Sequence, residues 1–266
     1  MSLKPSLPVE LLDEIFYFLR GNAPALRACA DVNQSFADIV EKHMYHHVTL
    51  GRSETTAAEL SKILADSPHI ITFIKSLRIS LNPKHFFSFL WELGAEEESA
   101  LIRVLAQMLH LTALSLHASI EIRVPWSDIQ SNLQSSFLTC IHLPTLVDVS
   151  INWVTGFPLS LLEESPQLKS LALIGPFSSG GLSEKQGVVV FPHLQRLTIK
   201  TSPELVEWLD RTNFTQLRSL VIWIRGTSAD FIARILTNSK SLTYLELHSP
   251  HRGESTHRPV PIFFRY

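Results

Sequence analysis

Twelve histidines are the side chains here best suited to proton transfer or metal binding, so their spacing is the first test for chemistry. His43, His46 and His47 stand together, but no Cys or carboxylate in the pattern completes a ligand set with them. A metal site needs three or four such ligands at fixed spacing. The trio reads instead as a surface cluster around a helix end, beside Tyr45. His248, His251 and His257 fall in a Pro-, Arg- and Ser-rich stretch with loop composition. No Gly-x-Ser-x-Gly elbow, phosphate loop or His-Glu-x-x-His pair occurs. The run Gly175-Pro176-Phe177-Ser178-Ser179-Gly180-Gly181-Leu182 is glycine-rich, yet no Lys-Ser/Thr or dinucleotide spacing follows it, so it reads as a loop between elements. No catalytic residue, cofactor or metal is expected, and the chain is read as a non-enzyme. Its chemistry must then be recognition.

The elements that would position a recognition surface come from 266 residues, 45% hydrophobic and 18% charged, a composition that builds a folded core. The 23 basic and 25 acidic residues are interspersed and nearly balance. No basic stripe argues for nucleic acid, and no polybasic run argues for an anionic membrane. After Lys4 the N-terminus has no apolar stretch of secretory type. The richest apolar stretch, Phe137 to Val154, is broken by His142, Pro144 and Asp148, so no membrane span is expected. Cys29 and Cys140 lie far apart without a partner pattern, as buried, reduced thiols of a cytoplasmic or nuclear protein do.

Residues 7 to 45 carry three short helical patterns. Pro8 suits a first helical turn, and Glu10, Asp13 and Glu14 suit the positive end of its dipole. Leu11, Ile15 and Leu19 recur at i, i+4 and i+8 as one apolar stripe, while Leu12, Phe16 and Phe18 spread apolar character well beyond it. Gly21 ends this helix and Asn22-Ala23-Pro24 begins the next, with Leu26, Cys29 and Ala30 inward; Phe36, Ile39 and Val40 mark a third. A module of about forty residues cannot hide so many large side chains by itself. The surplus must meet a partner or the rest of the chain.

The spacing Leu7-Pro8-x-Glu10-Leu11-x-x-x-Ile15-x-x-x-Leu19, followed by Leu26, Cys29, Val32 and Phe36, resembles the F-box. Met44-Tyr45 stands near where that family often closes its helical region with an aromatic residue. The resemblance spans residues 5–48 and implies a three-helix module that binds a Skp-type adaptor and, through it, a cullin. It implies adaptor-binding roles for Leu7, Pro8, Leu11, Ile15, Leu26, Cys29 and Val32. Two departures stand out: Phe36 occupies a position where the family commonly has Trp, and Asn33 one where Ser or Cys is usual.

Beyond residue 49 an apolar-x-x-apolar-x-apolar pattern recurs seven times, beginning at Ile74, Leu111, Leu146, Leu168, Leu194, Leu217 and Leu242. The intervals between these starts are 37, 35, 22, 26, 23 and 25 residues. The last four lie in the range of leucine-rich repeats, and the first two can each hold a full helix. In the first of them, Glu96-Glu97-Glu98 opens a helix carrying Leu101, Leu105, Met108 and Leu109. The pattern resembles the divergent repeats of fungal F-box/leucine-rich-repeat proteins. The fold expected is therefore α/β: a three-helix F-box, then a leucine-rich-repeat solenoid of about seven irregular repeats over residues 49–248. Its short parallel strands would line a concave face, with helices on the convex face, each repeat burying its neighbour's apolar surface.

If the Leu-x-Leu residues point inward, the alternating residues line the concave surface. The rows are then Arg196-Ser219-Tyr244, Thr198-Val221-Glu246 and Lys200-Trp223-His248, with Arg78, Ser115, His117, Asp148, Ser150, Asn152 and Ala172 from earlier repeats. A Trp flanked by Arg, Lys, Tyr and His has the make-up of an interface anchor. Arg196, Lys200, Trp223, Tyr244, Glu246 and His248 are the expected contacts for a client protein, and a register one residue off would instead make Trp223 core. Residues 249–266 read as a loop-like tail, taken as the shortened end of a longer array rather than a segment folding back on the last repeat. Together these features point to a client-recognising subunit of a cullin-based ubiquitin ligase. The alternative is a non-degradative repeat scaffold whose N-terminal helices cap the solenoid; burial of Leu11 and Ile15 under residues 50–80 would favour it.

Overall fold

The computed structural model describes residues 7–51, 55–81, 95–118, 123–165, 167–175, 189–200, 205, 208–209, 212–223, 233, 235–237, 239–248 and 260–263. Three short helices come first: α1 (Val9–Phe18), α2 (Ala23–Ala30) and α3 (Gln34–Met44). Pro8 stands one residue ahead of the first turn, where its carbonyl accepts the amides of Leu11 and Leu12. Gly21, at φ 90°, takes the left-handed conformation that lets the chain turn after α1 without a side-chain clash. Asn22 then caps α2 by accepting the Ala25 amide at 3.1 Å, and Asn33 caps α3 through the Phe36 amide at 3.0 Å. The three helices meet on Leu12, Phe16, Leu26 and Val40, a core separate from that of the remaining chain.

After α3 the chain alternates strand and connection: β1 (His47–Leu50), α4 (Ala57–Asp66), β2 (Ser76–Leu81), α5 (Ala95–Gln107), β3 (Ala113–Ala118) and β4 (Val124–Pro125). It continues with α6 (Ser131–Ile141), β5 (Asp148–Asn152), β6 (Val154–Thr155), β7 (Ser170–Ile174), β8 (Val189–Val190) and β9 (Arg196–Lys200). Last come β10 (Thr212–Asn213), β11 (Ser219–Trp223), β12 (Tyr244–His248) and β13 (Val260–Phe263). The result is a mixed α/β fold with a mostly parallel sheet. Nine strands form that sheet in the order β1-β2-β3-β5-β7-β9-β11-β12-β13. Among the described residues, only the pairing of β12 with β13 in this sheet is antiparallel.

The recurring sequence pattern and the pairing register coincide. Leu77, Leu114, Val149, Leu171, Leu197, Leu220 and Leu245 are Cα partners from strand to strand, one continuous buried row. Ile79, Leu116, Ile151, Leu173, Ile199 and Ile222 form a second, ending at the half-buried Leu247. The leading residues Ile74, Leu111, Leu146, Leu168, Leu194, Leu217 and Leu242 are buried as well. Period-two alternation has put the second and third positions of every pattern on one side of the sheet, while the leading residue is buried from the segment that runs into the strand.

The long intervals hold α5 and α6, whereas the 22-residue interval after Leu146 holds a single 3-10 turn, Leu159–Leu162. Of the acids expected to serve the start of α5, Glu97 reaches elsewhere: its carboxylate accepts the Ala57 amide, and the Ala58 amide at 3.2 Å, at the N-terminus of α4. That couples neighbouring helices. The tail differs from its loop-like reading, because Val260–Phe263 folds back to pair with β12. Its alternation of apolar residues was short and interrupted by Pro261, which hid a strand at the sheet edge. The rest of the Gly175–Leu182 run lies outside the described residues.

Candidate protein-interaction surfaces

The first surface is the outer side of α1. Two apolar stripes compete for the inside of this helix, and the one carrying the larger ring wins: Leu12 and Phe16 are buried, with Leu19 packed beside them. Phe16 meets Phe36 edge to face, ring centroids 5.5 Å apart. The losing stripe is left outside, Leu11 at 47% and Ile15 at 46% exposure, joined by Leu7, Val9, Tyr17 and Phe18. Of the seven residues that the sequence assigned to adaptor binding, Leu7, Pro8, Leu11, Ile15 and Val32 are exposed. Leu26 is not. At 2% exposure it is part of the bundle core, so its place is structural rather than at a contact surface. Cys29 is half-buried against the same core and is a free thiol.

His43 also departs from its surface reading. It is 3% exposed, its Nε2 is 2.9 Å from Asp13 Oδ1, and its Nδ1 accepts the Arg20 Nε–H at 2.8 Å. One imidazole thus ties α3 to the middle of α1 and to the turn that follows it, and Lys42 adds an ion pair to Asp13 at 3.0 Å. Burial pushes the His43 pKa below its ordinary 6.5, outweighing the Asp13 hydrogen bond that raises it, with Arg20 lowering it further. The hydrogen bond from Lys42, with His43 adding to it, holds the Asp13 carboxyl below its usual value. No sequence signal placed Asp13 and His43 together across thirty positions.

Between module and sheet the contacts are few. Tyr45 packs against the sheet core and Glu41 lies 2.9 Å from His69. A cleft of about 750 Å³ separates α2 and the end of α3 from β1 and α4, lined by Arg20, Arg27, His46, His47 and Ile63 among others. The helices therefore do not close over the first strand.

The second surface is the side of the sheet opposite the leucine rows. The pairing register joins Arg196, Ser219 and Tyr244; Thr198, Val221 and Glu246; and Lys200, Trp223 and His248. Trp223 alternates with the buried Leu220 and Ile222 and is itself only half-buried, so it stands on the open side. Its ring stacks on His248, centroids 4.4 Å apart and planes at 11°. His248 Nε2 lies 2.8 Å from Glu246 Oε1, and the Tyr244 hydroxyl donates to Glu246 Oε2 at 2.6 Å. That hydrogen bond, with burial and the Glu246 charge, pushes the Tyr244 pKa up. Glu246 is thus held from two sides and fixes the flat Trp223–His248 platform. Arg196 lies 3.8 Å from Asp148, and the Lys200 ammonium sits 4.2 Å over the Trp153 ring.

Trp153 was absent from the residues picked by sequence. It follows β5 with φ 61°, a left-handed conformation rare for so large a side chain. Gly175, at φ 142°, makes room for it: a Cβ there would lie 3.0 Å from the Trp153 Cα. Backbone handedness at a single tryptophan leaves no mark in a sequence. Cys140, the second free thiol, is buried and its pKa is pushed up to about 12 by that burial. No helix among the described residues is long and apolar enough to cross a membrane. Compared with known proteins, the sequence matches no family model and none of the curated proteins.

Proposed function

We propose that this chain is the client-recognition subunit of a cullin-based ubiquitin ligase. The helices of residues 5–48 act as an F-box that holds a Skp-type adaptor, and the remainder is a leucine-rich-repeat solenoid whose open strand face holds the client protein. Catalysis belongs to other subunits; this chain supplies proximity, placing the client where ubiquitin transfer occurs. The observation that carries the reading is the exposure of Leu11 and Ile15, with Val9 and Phe18 beside them, on a helix whose inner stripe is already satisfied. Fully burying an aliphatic side chain contributes about 1.5–3 kcal/mol, so a helix that leaves several outside favours a partner that covers them. The monotonic strand order and the in-register leucine rows support the repeat half of the reading. The capping alternative needs Leu11 and Ile15 under residues 50–80, and their exposure argues against it.

The test is a pull-down of the full chain beside Leu7→Ala/Pro8→Ala and Leu11→Asp/Ile15→Asp versions, probed for the Skp adaptor and cullin. Both versions are expected to lose at least nine-tenths of the adaptor. Equal recovery by all three chains would exclude this face as the contact. On the client side, Trp223→Ala is expected to weaken client recruitment while adaptor recovery stays unchanged.

A further inference from the structure

The two ends of the main sheet are finished differently. At the far end β13 covers β12 and carries Pro261, which has no amide to offer another strand. At the near end β1 pairs with β2 on one side alone. That pairing fixes which main-chain groups are left over. The His46 carbonyl accepts the Ser76 amide at 3.0 Å, so His46, Val48 and Leu50 address β2, while His47 and Thr49 turn their groups away from it. Thr55 bridges to Leu50, and its carbonyl accepts the Gly51 amide at 3.2 Å, which closes the last part of the edge. Among the described residues nothing takes the amide or carbonyl of His47, or the amide of Thr49. His47 is exposed and Thr49 half-buried, so this stretch is open to solvent.

The cleft of about 750 Å³ between α2 and β1 runs along it. His47 and Val48 point to opposite faces of the strand, yet both line the cleft, as a space beside the strand's edge requires. The volume lies within the roughly 300–1,000 Å³ of pockets that hold a ligand. Leu60 and Ile63 give it an apolar wall, and its charge has one sign. Arg20 and Arg27 line it with His46 and His47. The one carboxylate among the described lining residues, Glu59, is taken up by the Thr56 amide at 2.8 Å. Burial lowers the His46 pKa, and Arg20, His43, His47 and Lys75 each lower it further.

We propose that this cleft takes up an extended acidic segment of a partner protein, which adds a further strand along the edge of β1. Main-chain bonds to His47 and Thr49 give the segment its hold, and its side chains give the choice of partner. Its carboxylates meet Arg20 and Arg27, and apolar residues at alternate positions meet Leu60 and Ile63. A small anion would answer the arginines but leave the edge groups unpaired. A second copy offering its own β1 would bring like charge against like. The assignment does not depend on the ligase reading.

The experiment follows the main-chain amide NMR signals of His47 and Thr49 in the full chain. Without a partner both should exchange with solvent at least tenfold faster than the amides of Val48 and Leu50, which the ladder to β2 protects. The probes are the capped pentapeptide Glu-Val-Glu-Val-Glu, its Lys-Val-Lys-Val-Lys counterpart, the acidic peptide N-methylated at every amide, and inorganic phosphate. Saturable shifts and slowed exchange at both amides are expected with the acidic peptide. The lysine and N-methylated peptides should bind at least tenfold more weakly, and inorganic phosphate should leave exchange unchanged. Thr49→Pro removes an edge amide without touching the ladder to β2, and should weaken the acidic peptide at least fivefold, read at His47. Arg27→Gln should weaken it at least threefold. Amides already protected in the free chain would mean that this chain or a second copy covers the edge. That result would overturn the proposal, as would absence of saturation, equal binding of the lysine or N-methylated peptide, equal protection by phosphate, or an unchanged response in both variants. None of these probes involves the exposed stripe of α1, so this result and the adaptor pull-down can fail independently.

Discussion

The helical module and the sheet solve the burial problem in opposite ways. The sheet hides its apolar residues in long rows, each strand covering the next, and one core runs from Val48 to Leu245. The module closes over four buried apolar residues, Leu12, Phe16, Leu26 and Val40. Nine large apolar side chains are exposed among the described residues, and seven of them, from Leu7 to Val32, belong to the module. Surplus apolar surface is thus not spread over the molecule as chance would spread it. It is concentrated where the core is smallest, on a helix that could have turned it inward only by giving up Phe16.

If the two cores are separate, damage to one should stop at the boundary. Phe16→Ala removes the largest ring in the small core and should cost the module about 3–5 kcal/mol. Hydrogen exchange is the measurement: amides of α1, α2 and α3 should lose protection while those of β5, β7 and β9 keep theirs. Equal loss in those strands would merge the two cores into one cooperative unit and end the contrast. In the sheet, the matching break is Gly175→Ala. It meets both a φ of 142° and a Cβ contact of 3.0 Å to the Trp153 Cα, so a loss of about 1–3 kcal/mol is expected by denaturant unfolding. No change would show that Trp153 is not held where the structure has it.

A pH titration sharpens the same contrast, because His43 lies in the module core. Its pKa in the folded chain is lowered from 6.5, with burial the leading cause. The unfolded chain therefore binds the proton more readily, and stability rises with pH between the lowered value and 6.5. The module should weaken as pH falls below about 6.5, before the Asp13 carboxyl, itself held below 3.8, begins to titrate. Exchange protection of α1 and α3 reads this directly, and His43→Gln should flatten the dependence. A pH response that survives in His43→Gln would move its origin to another histidine.

How much of this was legible in the sequence follows the same divide. The Leu-x-Leu pattern located every long strand of the parallel sheet from β2 onward, because a period of two with one buried face leaves a single workable register. The long intervals announced α5 and α6 for an equally local reason, since chain of that length needs a helix to be stored. In the module the sequence showed too much apolar surface but not which stripe would turn inward, since Leu11-Ile15 and Leu12-Phe16 look alike until packing against Phe36 and Val40 decides. The bond between His43 and Asp13, the handedness of Trp153 and the pairing of Val260–Phe263 with β12 are long-range or conformational facts. No spacing rule reaches them. On the open face the reverse held: once the register was set, the alternation alone named the row in which Lys200, Trp223 and His248 are neighbours.

The smallest expected effect is the most discriminating. Leu11→Asp/Ile15→Asp places two charges on the exposed stripe of α1, four residues apart. If that stripe faces solvent in the isolated chain, each change should fall within about 0.5 kcal/mol of neutral, as surface substitutions do. The like-charge pair adds only a few tenths. Thermal unfolding should barely register it, although the same variant is expected to lose the adaptor. Phe16→Ala, one position away from Ile15, should do the opposite: large in stability, and harmful to binding only through loss of the fold. A double-aspartate chain that unfolds like Phe16→Ala would mean the outer stripe is covered by this chain's own residues. The contrast between a core that satisfies itself and a core that leaves work for a partner depends on those two variants separating.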